Sequence, residues 1–252
     1  MNTEQPKSEI REGSPEYPDW FRRPDVITVE GELATGKDMV CEILCREYGY
    51  RYLEISAIGR GLAVAFTTEG IPREDEEAVG RFYREAKVEL TEENGAPGVV
   101  VNGVDVTPRL RDADTYEMSS YLLRYPVVPG KVAETAQGIV REGNVVLNGR
   151  FLAREVWPGA ELQLFLIGDF DTRLERRFRQ LRAKDPGVSR EEVERAMRER
   201  EGKESAVGAH VASATGIIVD TTRLSVPETV IVAVETYGKR QFVSRSRKTL
   251  ST

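Results

Sequence analysis

Four short apolar runs recur along the chain: Val26 to Val29, Asn144 to Leu147, Leu162 to Ile167 and Ile217 to Val219. Each reads as a short buried strand. Between them the apolar residues fall at helical spacing, as Met39, Val40, Ile43 and Leu44 do before Gly49. Strands alternating with helices predict an α/β fold, a parallel sheet flanked by helices on both faces. Its ligand is expected beyond the carboxyl ends of the strands. The texture changes from Val88 to Pro108, where the pairs Asn94-Gly95 and Asn102-Gly103 separate short β-like runs. That spacing predicts a small antiparallel β insertion. A third texture, Thr172 to Glu204, is charge-dense helix.

The two ends carry no such pattern. Residues 1–25 are rich in Pro, Glu and Ser, with Trp20 and Phe21 as the one anchor, and are expected to be a disordered tail. Residues 239–252, with Lys239, Arg240, Arg245, Arg247 and Lys248, read as a short basic tail. One domain is expected over 26–238. The full chain's 40% hydrophobic and 31% charged residues are ordinary for a soluble globular protein. No run approaches the roughly 18 apolar residues of a membrane span, and the first residues lack a secretory stretch, so a cytoplasmic protein without a membrane partner is expected. A net charge of -6 argues against nonspecific nucleic-acid binding as the main task. Cys41 and Cys45 sit four apart on one predicted helix and are expected to be free thiols. His210 is the single histidine, which argues against Ser-His-Asp and Cys-His chemistry and leaves no histidine cluster for zinc.

Chemistry enters at Gly31-Glu32-Leu33-Ala34-Thr35-Gly36-Lys37, directly after the first apolar run. Backbone N–H groups wrap a phosphate only where the chain turns tightly and no side chain blocks the approach, which Gly31 and Gly36 permit. Lys37 adds a point charge near the β- and γ-phosphates, and the following helix presents its positive end to the same anion. Gly-x4-Gly-Lys arises by chance about 0.07 times in a chain of this length, so the preceding strand and following helix supply the decisive context. Where many such loops place Ser or Thr after the lysine to ligate magnesium, this chain has Asp38 and then Met39. A carboxylate there either meets the metal, repels the triphosphate, or sits solvated in the first helical turn.

The charge-dense region offers arginines able to fork onto phosphate oxygens: Arg173, Arg176, Arg177, Arg179 and Arg182, then Arg190, Arg195, Arg198 and Arg200. Interleaved acids, Glu175, Glu191, Glu192, Glu194, Glu199 and Glu201, assign most of them to surface pairs. Two or three are expected to act in a mobile lid, with Arg173 and Arg177 as candidates.

Several segments together resemble the bacterial cytidylate kinases, which are nucleoside monophosphate kinases. Val101-Asn102-Gly103-Val104-Asp105-Val106-Thr107, leading to Arg111 and Ser119-Ser120, resembles that family's acceptor-domain insertion. Ser56 to Arg60, Gly149-Arg150 with Trp157 to Ala160, Arg176-Arg177 with Gln180-Leu181, and Val219 to Thr222 are similar to further family motifs, in the family's order. The resemblance implies a P-loop nucleoside monophosphate kinase fold, with an acceptor-binding insertion over about 60–125 and a helical lid over about 182–208. It also implies transfer of the γ-phosphoryl of ATP to a pyrimidine nucleoside monophosphate, with Mg2+ held mainly by phosphates and water and no protein side chain assigned to it. By the same resemblance, Gly31 through Asp38 bind the ATP phosphates, and Arg60, Ser120 and Arg150 bind the acceptor. Lys37, Arg150 and Arg198 would be the catalytic residues, Arg198 matching an arginine of the family's lid and so joining the lid candidates.

The departures concentrate where cytosine is read. Family members place a serine at Ile55, a tyrosine at Gly59, an arginine at Pro129, an aspartate at Phe151, and an aspartate and an arginine at Gly202 and Ser205. Phe151 replaces a carboxylate that accepts from the exocyclic amine with a ring that only stacks. A site that reads its ligand by such hydrogen bonds discriminates by roughly 10⁴, and losing them removes that selectivity. Three functions remain open from the sequence: an active kinase with an altered acceptor, a noncatalytic nucleotide-binding or regulatory protein on the same fold, or a kinase that acts on a non-nucleotide small molecule or uses a different donor.

Overall fold

The computed structural model describes residues 23–93, 96–206 and 215–249. The described residues divide into two compact units, one within 23–51, 144–154 and 158–249, the other within 52–143 and 155–157.

The first unit is built on β1 (Val26–Gly31), all six of whose residues are buried. β1 pairs in parallel with β6 (Val145–Asn148) on one side and β7 (Leu162–Ile167) on the other, and β7 pairs in parallel with β8 (Ile217–Asp220). With β2 (Arg51–Glu54) at one edge, the strand order is β2-β6-β1-β7-β8. A strand buried on both faces needs apolar residues throughout, which is why β1, β6 and β7 read as continuous runs. The four expected strands are present, each within a residue or two of its predicted bounds. β2 (Arg51–Glu54) is additional: it has one buried side chain, Leu53, among Arg, Tyr and Glu, and so offers no apolar run. Its first residue donates from N–H to the Asn144 carbonyl at 2.9 Å.

Helix α1 (Lys37–Tyr48) follows the loop after β1 and ends where Gly49 turns left-handed, its N–H bonded to Cys45 O. Burial pushes the Cys45 thiol up to about 12 and the Cys41 thiol well above its ordinary value, so both are inert neutral groups at pH 7. Helix α6 (Phe170–Arg182) starts at Asp169, whose carboxylate accepts from Thr172 N–H. Helix α7 (Arg190–Ala206) starts after Ser189, which exchanges hydrogen bonds with Glu192 in a capping box. Helix α8 runs Val226–Thr249. Residues 239–249, expected as a tail, continue this helix. Arg240 donates to the Thr215 and Gly216 carbonyls, and Lys239 pairs with Glu235 one turn back.

The second unit packs α2 (Ile55–Thr68) and α3 (Glu76–Glu85) with α4 (Ala113–Leu122), α5 (Val127–Val140) and the antiparallel sheet β3 (Val88–Glu93), β4 (Ala96–Val101) and β5 (Val104–Asp105). This is the expected antiparallel insertion, with Asn102-Gly103 at the β4–β5 turn. Asn94-Gly95, Trp20, Phe21 and His210 lie outside the described residues. Phe66, Phe82 and Tyr83 form its aromatic centre, with Phe66 and Phe82 edge to face at 5.4 Å.

Candidate functional site

At the carboxyl end of β1 the chain passes Gly31 at φ 134°, where a Cβ would lie 2.1 Å from the Leu166 carbonyl of β7. No larger residue fits there, and the close approach sets the loop's starting direction. The loop closes at Gly36, φ 88°, which caps α1 without a side-chain hydrogen bond. The first amides of α1 therefore lack a capping side chain, the condition for receiving an anion. Ala34 also lies in the left-handed region, φ 61°, at a cost of about 1–2 kcal/mol for a residue with a Cβ.

Side chains around the loop hold its shape. Lys37 Nζ donates to the Gly31 carbonyl at 2.9 Å and to the Glu32 carbonyl at 2.5 Å, and Thr35 Oγ1 donates to Glu32 O at 2.9 Å. The Glu32 carboxylate accepts from Gly168 N–H at 2.9 Å and pairs with Arg173 Nε at 3.2 Å. An acid inside a phosphate loop is thus spent on the neighbouring β7–α6 turn. Arg173, a candidate lid residue by sequence, is 3% exposed. It donates to Gly168 O and Leu33 O and forms an ion pair with Glu201 of α7. Leu33 and Ala34 pack with Phe170 and Phe178 of α6 against Leu174, Val193 and Met197. Arg173 is therefore an anchor beneath the loop.

The other arginines separate in the same way. Arg176 donates to Thr221 Oγ1, Thr221 O and Leu224 O, fixing the turn after β8. Asp220 is engaged in that turn, accepting from Thr222 N–H and Oγ1, and these bonds hold its carboxyl below the ordinary value. Arg177 is half-buried and donates to Gln180 Oε1 at 2.6 Å. Arg198 is exposed, pairs with Glu194 at 2.8 Å and lies 4.1 Å from the Phe170 ring centroid.

Arg150 lies just past the carboxyl end of β6, the strand next to β1, and is half-buried. The segment after it is pinned by buried Glu30 of β1: Oε1 accepts from Leu152 N–H at 2.9 Å and Oε2 from Ala153 N–H at 3.1 Å. Burial raises the Glu30 carboxyl above its ordinary value, and these amides, with that of Phe151, pull it back. Phe151 is left-handed, φ 58°, with the Arg154 guanidinium 4.7 Å from its ring centroid.

In the second unit, Arg60 of α2 is nearly buried. It donates to Ser56 Oγ at 2.9 Å and to Glu54 Oε1 at 3.0 Å, and its guanidinium lies 5.1 Å from the Tyr116 ring centroid. Its Nε is buried with no acceptor among the described residues. Ser120 is exposed on α4, whereas its neighbour Ser119 points its hydroxyl at Gly59, 3.7 Å from where a Cβ would stand.

Around the loop, sequence reasoning missed Glu30 and Asn148 and read Glu201 as a surface acid; in the second unit it missed Glu54 beside Arg60. Glu30 ends the first apolar run and is an acid where the pattern demands burial, a usable signal. Glu201 looks like every other acid of α7, and its partner lies 28 residues away.

Among the described residues no three His, Cys, Asp or Glu side chains converge as a metal site. One acid stands beside the loop lysine: Asp38, exposed, whose Oδ1 accepts from Asn148 Nδ2 at 2.7 Å. A single carboxylate oxygen suits a hard cation such as Mg2+ that takes its remaining ligands from phosphate and water.

The Cytidylate kinase family profile matches residues 27–239. The cytidylate kinase of Roseiflexus castenholzii is 32% identical over 216 residues, covering 84% of this chain and 92% of that protein. That of Chloroflexus aggregans is 30% identical over 204 residues, covering 79% and 89%. That of Carboxydothermus hydrogenoformans is 29% identical over 219 residues, covering 86% and 99%. With the loop after β1 and the observed sheet, these matches give the chain the P-loop nucleoside monophosphate kinase fold, and the chain belongs to the cytidylate kinase family.

Proposed function

We propose that the protein transfers the γ-phosphoryl of ATP, with Mg2+, to a nucleoside monophosphate. The observation that carries this reading is the loop from Gly31 to Lys37, tight at both glycines, with uncapped α1 amides and a lysine bonded to its carbonyls. Phosphoryl transfer depends chiefly on position and charge, so such a cradle is the minimum equipment for it. Magnesium, when bound, neutralises charge on the phosphates. Gly31 through Asp38 would surround the donor phosphates, Lys37 would neutralise the β/γ oxygens, and Arg150, Arg177 and Arg198 would supply further positive charge. Arg60 would hold the acceptor phosphate, its unpartnered Nε being a donor in want of an anion, and Ser120 would line the acceptor pocket.

The relatives' name points to CMP as acceptor, and the reaction belongs in the cytoplasm. No helix among the described residues is long and apolar enough to cross a membrane. With a ring at 151, cytosine is held without hydrogen-bond readout, so base discrimination is expected to be weak. Diphosphate formation should therefore be measured for CMP, dCMP, UMP and purine monophosphates. The proposal expects turnover with kcat/KM spread by less than about 100-fold across the pyrimidines, and Phe151→Asp should restore preference for cytosine. No diphosphate from any of them overturns it.

A second reading, a nucleotide-binding regulator without turnover, is favoured by the engagement of Arg60 with Glu54 and of Arg198 with Glu194. Nucleotide binding with no transfer in that panel would establish it.

A further inference from the structure

The contact between Asp38 and Asn148 stands at the end of the loop, directly after Lys37. Asn148 closes β6, is 4% exposed and sits in register with Val29 of β1. Its amide Nδ2 donates to Asp38 Oδ1 at 2.7 Å. The sheet thus orients a carboxylate on the first turn of α1, directly after Lys37. A carboxylate accepting one hydrogen bond keeps lone pairs on both oxygens for another ligand. Beside a bare triphosphate it is repulsive, since like charges at close range oppose binding. A divalent cation placed between them reverses that sign. Neither residue 38 nor residue 39 offers the hydroxyl that magnesium commonly meets in such loops.

We propose that Asp38, oriented by Asn148, is a protein ligand of the magnesium ion carried by the donor nucleotide, and that it makes nucleotide binding depend on the metal. The inference rests on the donor half of the function proposed above. It needs no acceptor and no turnover.

The test is calorimetric titration with ATP, in excess Mg2+ and in EDTA, of the full chain and its variants, each checked by thermal melting. The wild-type chain is expected to bind ATP at least about tenfold more tightly with Mg2+ than without. Asp38→Asn keeps the hydrogen bond to Asn148 and removes the charge. It should tighten binding in EDTA, weaken it in Mg2+, and shrink the ratio by about tenfold. Asn148→Ala should move the ratio the same way by less, and it stands in should the first variant not fold. Asp38→Gly combined with Met39→Thr should regain metal dependence through a hydroxyl. ATP binding by all proteins with one common ratio overturns the inference and leaves the donor site standing. No ATP binding by the wild-type chain under either condition overturns both.

Discussion

Lys37 and Arg60 are the cations expected at the two ends of a phosphoryl transfer, and the structure holds them differently. Lys37 donates to two main-chain carbonyls, neutral acceptors that a phosphate oxygen outcompetes. Arg60 is paired with a carboxylate, bonded to a hydroxyl and covered by the face of Tyr116. A monophosphate reaching Arg60 must compete with Glu54 for the same guanidinium. The printed bonds of the first go to main-chain carbonyls and those of the second to side chains, so under the proposed function donor and acceptor affinities would be set by different physics. Backbone geometry governs the first and local charge balance the second.

Breaking the donor side is expected to have the larger effect. Gly31→Ala places a methyl 2.1 Å from the Leu166 carbonyl, where neither strand can yield. The cost should be about 3 kcal/mol or more, seen as a melting temperature lower by roughly 6–12 °C. An unchanged melting curve would mean that the strand end is looser than described.

On the acceptor side, Glu54→Gln removes the competing charge and keeps a hydrogen-bonding oxygen near Arg60. Monophosphate affinity, measured by titration, should rise by about tenfold, with nucleoside triphosphate affinity unmoved. Equal monophosphate affinities in the two proteins would show that the pair opens at no cost.

Charge inside the first unit offers a subtler contrast. Glu30 carries a carboxyl raised by burial, so the folded chain binds its proton more tightly than the unfolded chain does. Its contribution to stability is fully present below the unfolded value near 4.5 and is lost as pH rises through the folded value. Relative to Glu30→Gln, the wild-type chain should lose stability across that window, read as the difference between their denaturation midpoints at pH 4 and pH 7. The opposite slope would mean that the amides of residues 151–153 outweigh desolvation.

The smallest expected effect is Ala34→Gly, which relieves a left-handed Cβ. Stability should change by a net gain of about 0.5–1 kcal/mol, the relief being partly offset by the freer unfolded glycine.

Much of the first unit was legible in the sequence because its signals are local. A buried strand, two glycines, a lysine and an amphipathic helix follow one another without interruption, and each constrains the next. β2 was not legible, because a four-residue strand with only Leu53 buried has no periodicity to read. The arginines of α6 could not be sorted in advance: Arg173 and Arg177 stand four apart on one helix, and only the distant partners Leu33, Gly168 and Glu201 make the first a buried anchor. The helix over 239–249 was hidden by its charge, which signals solvation and says nothing against helix. The resemblance points to Arg60, Ser120 and Arg150 by position, whereas the Glu54 carboxylate on Arg60 is a contact that no periodicity announces.

The most direct test compares the wild-type chain with Lys37→Ala in ATP- and Mg2+-dependent conversion of monophosphate to diphosphate, with ADP and the new diphosphate quantified together. The account predicts the two products in equal amounts from the wild-type chain and a rate lower by roughly 100- to 1,000-fold in the variant, the scale for removing one preorganised charge from the transferring group. Equal rates in the two proteins, or no diphosphate from either, would contradict it.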